Sequence, residues 1–179
     1  MSEYTLRSTY TRTSSVLRRA ADIVVILVIC ALLVFLLFKF ILVPARAEAP
    51  RVSSVEDGEL LLVDRFSRFL FDYSVGDLVL AEQDGEKAVL RVAAKAGSTY
   101  TVRDGLAYID GALIDESEYS EGWGGFPDFE IVVPESSLLL LPDDRTELSS
   151  AEECVVPYRD ITGEVRFRVS PLKRLSFFY

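Results

Sequence analysis

The sequence contains no histidine, and this absence excludes whole classes of active site. A Ser-His-Asp triad, a Cys-His dyad and a histidine-ligated zinc centre all need an imidazole ring. If the protein is a hydrolase, its general base must therefore be a lysine or a carboxylate.

Cysteine is scarce, because the chain has only Cys30 and Cys154. Cys30 lies inside a long apolar run near the N-terminus, whereas Cys154 lies in the distal, more polar part of the chain. A disulfide between them would break the membrane topology that this run implies. We therefore expect a fold that holds without a disulfide.

Basic residues are fewer than acidic ones, with 19 Lys and Arg against 28 Asp and Glu, and the formal net charge is −9. Once the +2 of residues 1–22 and the charge of Lys39 are set aside, −12 remains for the rest of the chain. Such an acidic region would repel a polyanion, which argues against nucleic acid as a partner.

The longest apolar run predicts a membrane anchor. Residues 23–38 are uncharged and almost wholly aliphatic, and the pattern resumes after Lys39. About 20 such residues span the roughly 30 Å core of a bilayer, so we predict one transmembrane helix over residues 20–44, with the lipid bilayer as its partner. Residues 1–19 form a tail that carries four arginines, and the excess of arginine predicts a cytoplasmic location for it.

A cleaved secretory signal is the alternative to an anchor, because Ala45-Arg46-Ala47 is an A-x-A site that follows the apolar run. The run is longer than the 7 to 15 residues of a typical signal-peptide core. We therefore predict a retained anchor in the cell membrane, with the distal domain extracytoplasmic.

Beyond the membrane segment the pattern favours β-structure. Residues 45–55 contain Ala, Pro and Ser and are interpreted as a linker, and residues 56–179 are interpreted as one β domain. Short aliphatic and β-branched runs separated by Gly or Asp turns predict strands at 60–64, 78–82, 88–94, 99–103, 106–109, 131–133, 137–141 and 165–169.

Two Asp-Gly pairs and one irregular segment complete the pattern. Asp104-Gly105 predicts a tight hairpin, and Asp110-Gly111 is a candidate for a second one. Residues 115–130 show no clean period and are interpreted as an irregular acidic excursion. Their aromatic residues, Trp123, Phe126 and Phe129, are equally consistent with an edge that touches a membrane or partner and with a buried minor cluster.

Several motifs together resemble the type I signal peptidases across nearly the whole chain. The segment from Gly105 to Gly111 resembles the family's G-x-x-Y-I-N-G hairpin. Val133-Pro134-Glu135, followed by an apolar run into Pro142-Asp143-Asp144-Arg145, resembles V-P-E-G leading into G-D-N-R. The strand after Gly58, the strand from Gly163 and the Pro171-Leu172-Lys173-Arg174 tail also match in order. The resemblance implies a signal-peptidase-like all-β extracytoplasmic domain on one N-terminal transmembrane helix.

The functional positions of that family are occupied by other residue types in this sequence. The lysine that acts as general base corresponds to Leu90, and counting back from Gly58 places the nucleophilic serine at Pro50. Three supporting positions correspond to Leu148, Ser150 and Glu152. Ser54, or its neighbour Ser53, could stand in as nucleophile only if the loop were shorter than in the family.

One family contact is expected to persist. The arginine after the lysine position is Arg91 and the aspartate of G-D-N-R is Asp143, so the resemblance implies an ion pair between them. No lysine beyond the membrane is a natural substitute for the lost base. Lys87 should point away from the face of Leu90, while Lys95 and Lys173 lie outside the strand.

Metal ligands are the remaining candidates, among Asp57, Glu59 and Asp64 or at Asp143 and Asp144. Neither group has the spacing of a metal-binding loop, so charged turns are the better interpretation and neither a metal nor another cofactor is predicted.

The resemblance implies a binding protein for secreted or pilin-type precursors, because signal-peptidase-like proteins of this degenerate kind occur beside Gram-positive surface-fibre systems. We expect no Ser-Lys catalysis, so no catalytic residue is assigned. Two rivals remain open. One is an active peptidase that cleaves at small-x-small sites with Ser54 as nucleophile, and the other is an interaction protein that binds through residues 115–130.

Overall fold

A computed structural model describes residues 3–48, 50–66, 72–83, 85–120, 122–124, 126–148 and 150–178. The chain separates into two compact units, Met1–Ile41 and Leu42–Tyr179. The described part of the first is a single helix, and the regular elements of the second are strands and short 3-10 turns.

Helix α1 runs over Glu3–Phe40, a segment that contains neither glycine nor proline to interrupt it. Within it, Leu17–Leu36 is long and apolar enough to span a membrane, with a mean hydropathy of 2.7. The helix thus starts earlier than the predicted residues 20–44 and ends before Pro44, which cannot continue a helix.

The first strand corrects the predicted boundary between anchor and linker. Strand β1, Leu42–Arg46, pairs antiparallel with β2, Leu60–Asp64. Residues 42–44, assigned to the membrane helix, and part of the predicted linker 45–55 therefore belong to the β unit. Ala45-Arg46-Ala47 is held there, with Ala47 fully buried and its N–H donating to the carbonyl of Glu59 at 2.9 Å.

The remaining strands follow in chain order: β3 Leu78–Gln83, β4 Glu86–Ala94, β5 Thr99–Arg103, β6 Leu106–Ile109, β7 Ala112–Leu113, β8 Phe129–Val132, β9 Ser137–Leu141, β10 Val155–Pro157, β11 Ile161–Ser170 and β12 Ser176–Phe177. Short 3-10 turns lie at Arg145–Glu147, Glu152–Cys154, Tyr158–Asp160 and Leu172–Arg174. The sequence prediction of a mainly β domain is confirmed.

Two antiparallel sheets organise these strands. The larger has the order β1-β2-β11-β3-β4-β9-β10, with β12 paired to β11, and the smaller has the order β7-β6-β5-β8. The predicted Asp-Gly turns both form, because Asp104 and Gly105, and likewise Asp110 and Gly111, adopt the positive φ that a primed turn needs.

In strand β11 the side chains do not alternate regularly between the two faces of the sheet. It lies between β2 and β3, and its register slips between Val165 and Phe167 and again between Arg168 and Ser170. These bulges turn Arg168 inward to 8% exposure, whereas strict alternation from the buried Val165 would place it on the opposite face. At Gly163 a Cβ would collide with the backbone carbonyl of Asp64, so only glycine allows this approach of β11 to β2.

The core is divided between the two faces of β3 and β4. Val79, Leu90 and Val92 pack on one face with residues of β9, in the first cluster of the core. Leu78, Leu80 and Val89 face the opposite side, and alternation along a strand explains this division. Cys30 and Cys154 are both free, as expected.

Candidate functional site

Leu90 occupies a buried, largely aliphatic environment. Its side chain is 1% exposed and packs in the first core cluster, whose members include Val79, Val92 and Leu140. Arg91, the next residue of β4, faces the other side of the strand, where its guanidinium lines a large cavity. A side chain at position 90 therefore points away from that cavity.

Arg91 and Asp143 form the ion pair that the sequence implied. Arg91 Nε donates to Asp143 Oδ1 at 2.8 Å and Nη2 donates to Oδ2 at 3.0 Å, a bidentate geometry. The two side chains are 12% and 4% exposed. Arg91 Nη1 also donates to the carbonyl of Gly76 at 3.0 Å, and the ring of Tyr119 lies 4.0 Å from the guanidinium carbon.

Asp143 also anchors the segment that precedes β2. Both the backbone N–H and the hydroxyl of Ser53 donate to Asp143 Oδ2 at 2.9 Å. The N–H of Asp143 donates to the carbonyl of Arg51, and the N–H of Arg51 donates to the carbonyl of Val89. Residues 51–53, predicted as linker, are therefore fixed to β4 and to the end of β9.

Ser54 follows on the cavity side of this segment. Its carbonyl accepts from Arg168 Nη1 at 2.8 Å, and Arg168 Nη1 also lies 3.0 Å from Glu59 Oε2. The hydroxyl oxygen of Ser54 is buried and has no hydrogen-bond partner among the residues that the structure describes. Ser53 and Ser54 thus differ, since the first hydroxyl is bound to a carboxylate and the second is not.

The cavity beside Ser54 has a volume of about 740 Å³, which falls in the range of roughly 300 to 1,000 Å³ common for ligand sites. Its lining is Ser54, Ser74, Val75, Gly76, Asp77, Leu78, Arg91, Ile114, Asp115, Glu118, Tyr119, Glu164, Val165, Phe177 and Phe178. No lysine stands among these described lining residues. Burial raises the pKa of the Tyr119 hydroxyl, and the charge of Glu116 raises it further.

The lysines of the β unit lie elsewhere. Lys87 and Lys173 are exposed, and Lys95 pairs with Asp72 at 3.2 Å. Of the other vacated family positions, Leu148 packs against the aromatic cluster of Trp123, and Ser150 is hydrogen-bonded to Glu152. The described residues thus place no amine beside the hydroxyl of Ser54.

A buried ion pair was missed by the sequence analysis. Arg145 Nη2 binds Glu116 Oε1 at 3.0 Å, and the side chains are 2% and 8% exposed. The hydroxyl of Tyr100 and the indole N–H of Trp123 also donate to the Glu116 carboxylate. Burial, followed by the charge of Glu116, raises the pKa of the Tyr100 hydroxyl well above its usual range.

The aromatic residues of this segment pack beside the ion pair. Trp123 is 2% exposed and its ring lies 5.4 Å from Phe126 and 5.2 Å from Phe129. Trp123 belongs to the core, and the partly buried rings of Phe126 and Phe129 pack against it. The sequence showed three aromatic residues close to an acidic segment, and nothing in it indicated that Arg145 is the partner of Glu116.

Glu59 is a second buried carboxylate that sequence reasoning had placed in a charged turn. It is 3% exposed and pairs with Arg168 and with Arg174, the latter at 3.3 Å. The pairing joins positions 109 residues apart, which no local pattern predicts. Among the described residues, no cluster of metal-ligating side chains occurs.

Substituting Asp143 by Asn tests the anchor of the Ser53 segment. We expect the free energy of unfolding to fall by about 2 kcal/mol, because the amide keeps one acceptor but leaves the Arg91 charge without its counter-ion. Trp123 is the only tryptophan, so its fluorescence during denaturation of the full chain in a nonionic detergent reports the loss.

Asp144→Asn is the matched control for that substitution. Asp144 is exposed and accepts hydrogen bonds from Thr146 at the start of a 3-10 turn, a role that asparagine fills as well as aspartate does. Its effect should stay below about 0.5 kcal/mol. Equal losses in the two variants would contradict a specific role for the pair.

Comparisons with known proteins identify the family that the chain resembles. The model of a family described as "Signal peptidase, peptidase S26" matches residues 17–170. A probable signal peptidase I-1 from Synechocystis is 25% identical over 164 residues, which cover 83% of this chain and 82% of the relative. A crystal structure of a signal peptidase I from Enterococcus faecalis covers 52% of this chain and 97% of its own, with 18% identity and a TM-score of 0.45.

Proposed function

The chain belongs to the signal peptidase family, peptidase S26, and we propose that it is a member that binds extended precursor segments without cutting them by a Ser-Lys mechanism. The proposed partners are secreted or surface-protein precursors, including those of the pilin type. The protein would act on them as an assembly factor.

The observation that carries this proposal is the environment of position 90. A Ser-Lys mechanism needs an amine that takes the proton of the serine hydroxyl. Leu90 has no such group, and it packs in an aliphatic cluster on the face of β4 opposite Arg91. The described residues that line the cavity offer no lysine in its place.

Binding is supported by the composition of the cavity walls. They combine apolar side chains such as Val165 and Phe178 with the buried hydroxyl of Ser54. The two-residue strand β12 pairs with β11 at Phe167 and Arg168 and forms part of the same wall. Main-chain pairing of this kind is how an extended peptide adds to a sheet edge.

The proposed location is the cell membrane, crossed once by α1. The stretch Leu17–Leu36 supplies the span. Arg7 and Arg12 before it, with Arg18 and Arg19 in its first turn, favour a cytoplasmic N-terminus. The β unit would then be extracytoplasmic, where secreted precursors emerge.

The rival function, an active signal peptidase, has one observation in its favour. The hydroxyl of Ser54 is buried beside the cavity and is not engaged by a described residue. A nucleophile in that position would still need a base, and positioned bases contribute about 10² to 10⁴ in rate. The nearest carboxylates of the lining are candidates only for a mechanism outside the Ser-Lys class.

A cleavage and binding assay separates the two functions. The full chain in nonionic detergent is incubated with a labelled precursor peptide that carries a small-x-small site. We expect peptide binding by fluorescence anisotropy and no turnover above that of the Ser54→Ala variant, while a Ser-Lys signal peptidase cleaves the same peptide. Turnover by the wild type that disappears in Ser54→Ala would refute the proposal and identify the nucleophile.

A further inference from the structure

The lining of the large cavity carries an imbalance of charge. Four carboxylates contribute to it, those of Asp77, Asp115, Glu118 and Glu164. Arg91 is the only cation among the described lining residues. The net charge that a ligand meets in the cavity therefore depends on which of these side chains are already paired with an oppositely charged neighbour.

Arg91 does not offset the lining carboxylates, because its charge is matched by Asp143. All three of its nitrogens donate to protein oxygens, two of them to Asp143 and the third to Gly76. The ring of Tyr119 covers the guanidinium at 4.0 Å. An anionic ligand would therefore find this arginine already occupied.

Glu164 is matched in the same way by Arg166, whose Nη2 lies 2.9 Å from Glu164 Oε2. The remaining three lining carboxylates lie in loops. Asp77 accepts from the N–H of Ser74 at 2.7 Å and Asp115 from the N–H of Ser117 at 3.0 Å. Such hydrogen bonds stabilise the ionised form without cancelling its charge, and those from Ser117 hold the pKa of the Asp115 carboxyl below its usual range.

The cavity also holds a polar group that is not yet satisfied. Ser54 lines it, and the hydroxyl oxygen of Ser54 is buried behind the cavity surface without a partner among the described residues. Ile114 and the rings of Phe177 and Phe178 line the same space. A ligand that satisfies these walls has a backbone or polar group for Ser54, apolar surface for the rings and a positive charge for the carboxylates.

We propose that the cavity selects extended peptide segments that carry a lysine or arginine side chain, with Asp77, Asp115 and Glu118 as the residues that determine this preference. The inference rests on the proposed binding function and specifies its substrate class. An aromatic wall favours the same ligand, since cations are attracted to the faces of aromatic rings.

The expected selectivity is moderate because the loop carboxylates are open to solvent. An exposed charge pair changes binding by a few-fold, so three carboxylates together should favour a lysine peptide over its glutamine counterpart by about tenfold. Added salt should weaken the binding of the lysine peptide and leave the binding of the glutamine peptide almost unchanged.

The test uses the full chain in nonionic detergent and two labelled peptides that differ only in Lys or Gln at one position. Affinities are measured by fluorescence anisotropy for the wild type, Glu118→Gln and Asp115→Asn. Glu86→Gln is the matched control, because Glu86 is exposed at the start of β4 and outside the cavity. Each variant removes one negative charge.

We expect the preference for lysine to fall about threefold in Glu118→Gln and in Asp115→Asn and to be unchanged in Glu86→Gln. Equal binding of the two peptides by the wild type would overturn the inference and leave the proposed function intact. An equal loss of preference in Glu86→Gln would overturn it too, because the effect would then come from net charge. Failure of both peptides to bind would refute the proposed function itself.

Discussion

Lysine substituted for Leu90 is expected to lower the free energy of unfolding at pH 7 by about 4 kcal/mol and to leave the protein without peptidase activity. Leu90 is 1% exposed in an aliphatic cluster. A lysine there must either lose its proton or bring a charge into that cluster. The amine would also lie on the face of β4 opposite the cavity, beyond reach of Ser54.

The sign of the pH dependence follows from the direction of the shift. A buried lysine has a pKa below that of the unfolded chain, so the unfolded state holds the extra proton at neutral pH. The variant should therefore regain about 1.4 kcal/mol per pH unit as the pH rises toward 10. Denaturation of wild type and variant between pH 7 and 10, followed by Trp123 fluorescence, measures this recovery.

Leu90→Met is the control, because methionine fills a similar volume without a charge and should cost less than about 1.5 kcal/mol. If Leu90→Lys produced cleavage of a precursor peptide, the assignment of position 90 to the closed face of the strand would be wrong. A loss no greater than that of Leu90→Met would equally contradict the buried environment.

Replacing Glu116 by Gln is the second change with a large expected effect, a loss of about 3 to 5 kcal/mol in the free energy of unfolding. Arg145 is 2% exposed, and its counter-ion in the structure is the Glu116 carboxylate at 3.0 Å. A neutral amide leaves the guanidinium buried without that charge. It also turns an NH₂ group toward donors, since Tyr100 and Trp123 both donate to Glu116.

Two further variants make the Glu116 result interpretable. Glu118→Gln changes an exposed neighbour by the same charge and should alter stability by less than about 0.5 kcal/mol. The double substitution Glu116→Leu with Arg145→Met removes both charges and should recover most of the loss, as replaced buried pairs do. Because Trp123 contacts the pair, unfolding is followed by far-UV circular dichroism. A double variant as unstable as Glu116→Gln would contradict the electrostatic explanation.

The elements that could be predicted from the sequence are those governed by local chemistry. The helix follows from a run without glycine or proline, and the hairpin at Asp104-Gly105 follows from the positive φ of its two central residues. The contact of Arg91 with Asp143 was expected from the resemblance to the signal peptidases, in which the corresponding residues pair.

The features that could not be predicted depend on contacts between residues that are far apart in the sequence. Strand β1 was hidden because residues 42–44 continue the apolar pattern of the helix, and only pairing with β2 makes them a strand. The inward turn of Arg168 depends on bulges in β11, and bulges shift a period of two without changing composition. The buried Glu116 and Arg145 pair joins residues 29 positions apart through the aromatic cluster.

The position of β11 has a consequence for how the protein is made. The carbonyl of Ser54 is held by Arg168, which is synthesised 114 residues later, and β2 and β3 meet only through the strand that carries this arginine. A nascent chain that has released every earlier strand still lacks the one that joins β2 to β3 in its larger sheet. The β unit must therefore wait, with its cavity unformed, until β11 emerges and closes it.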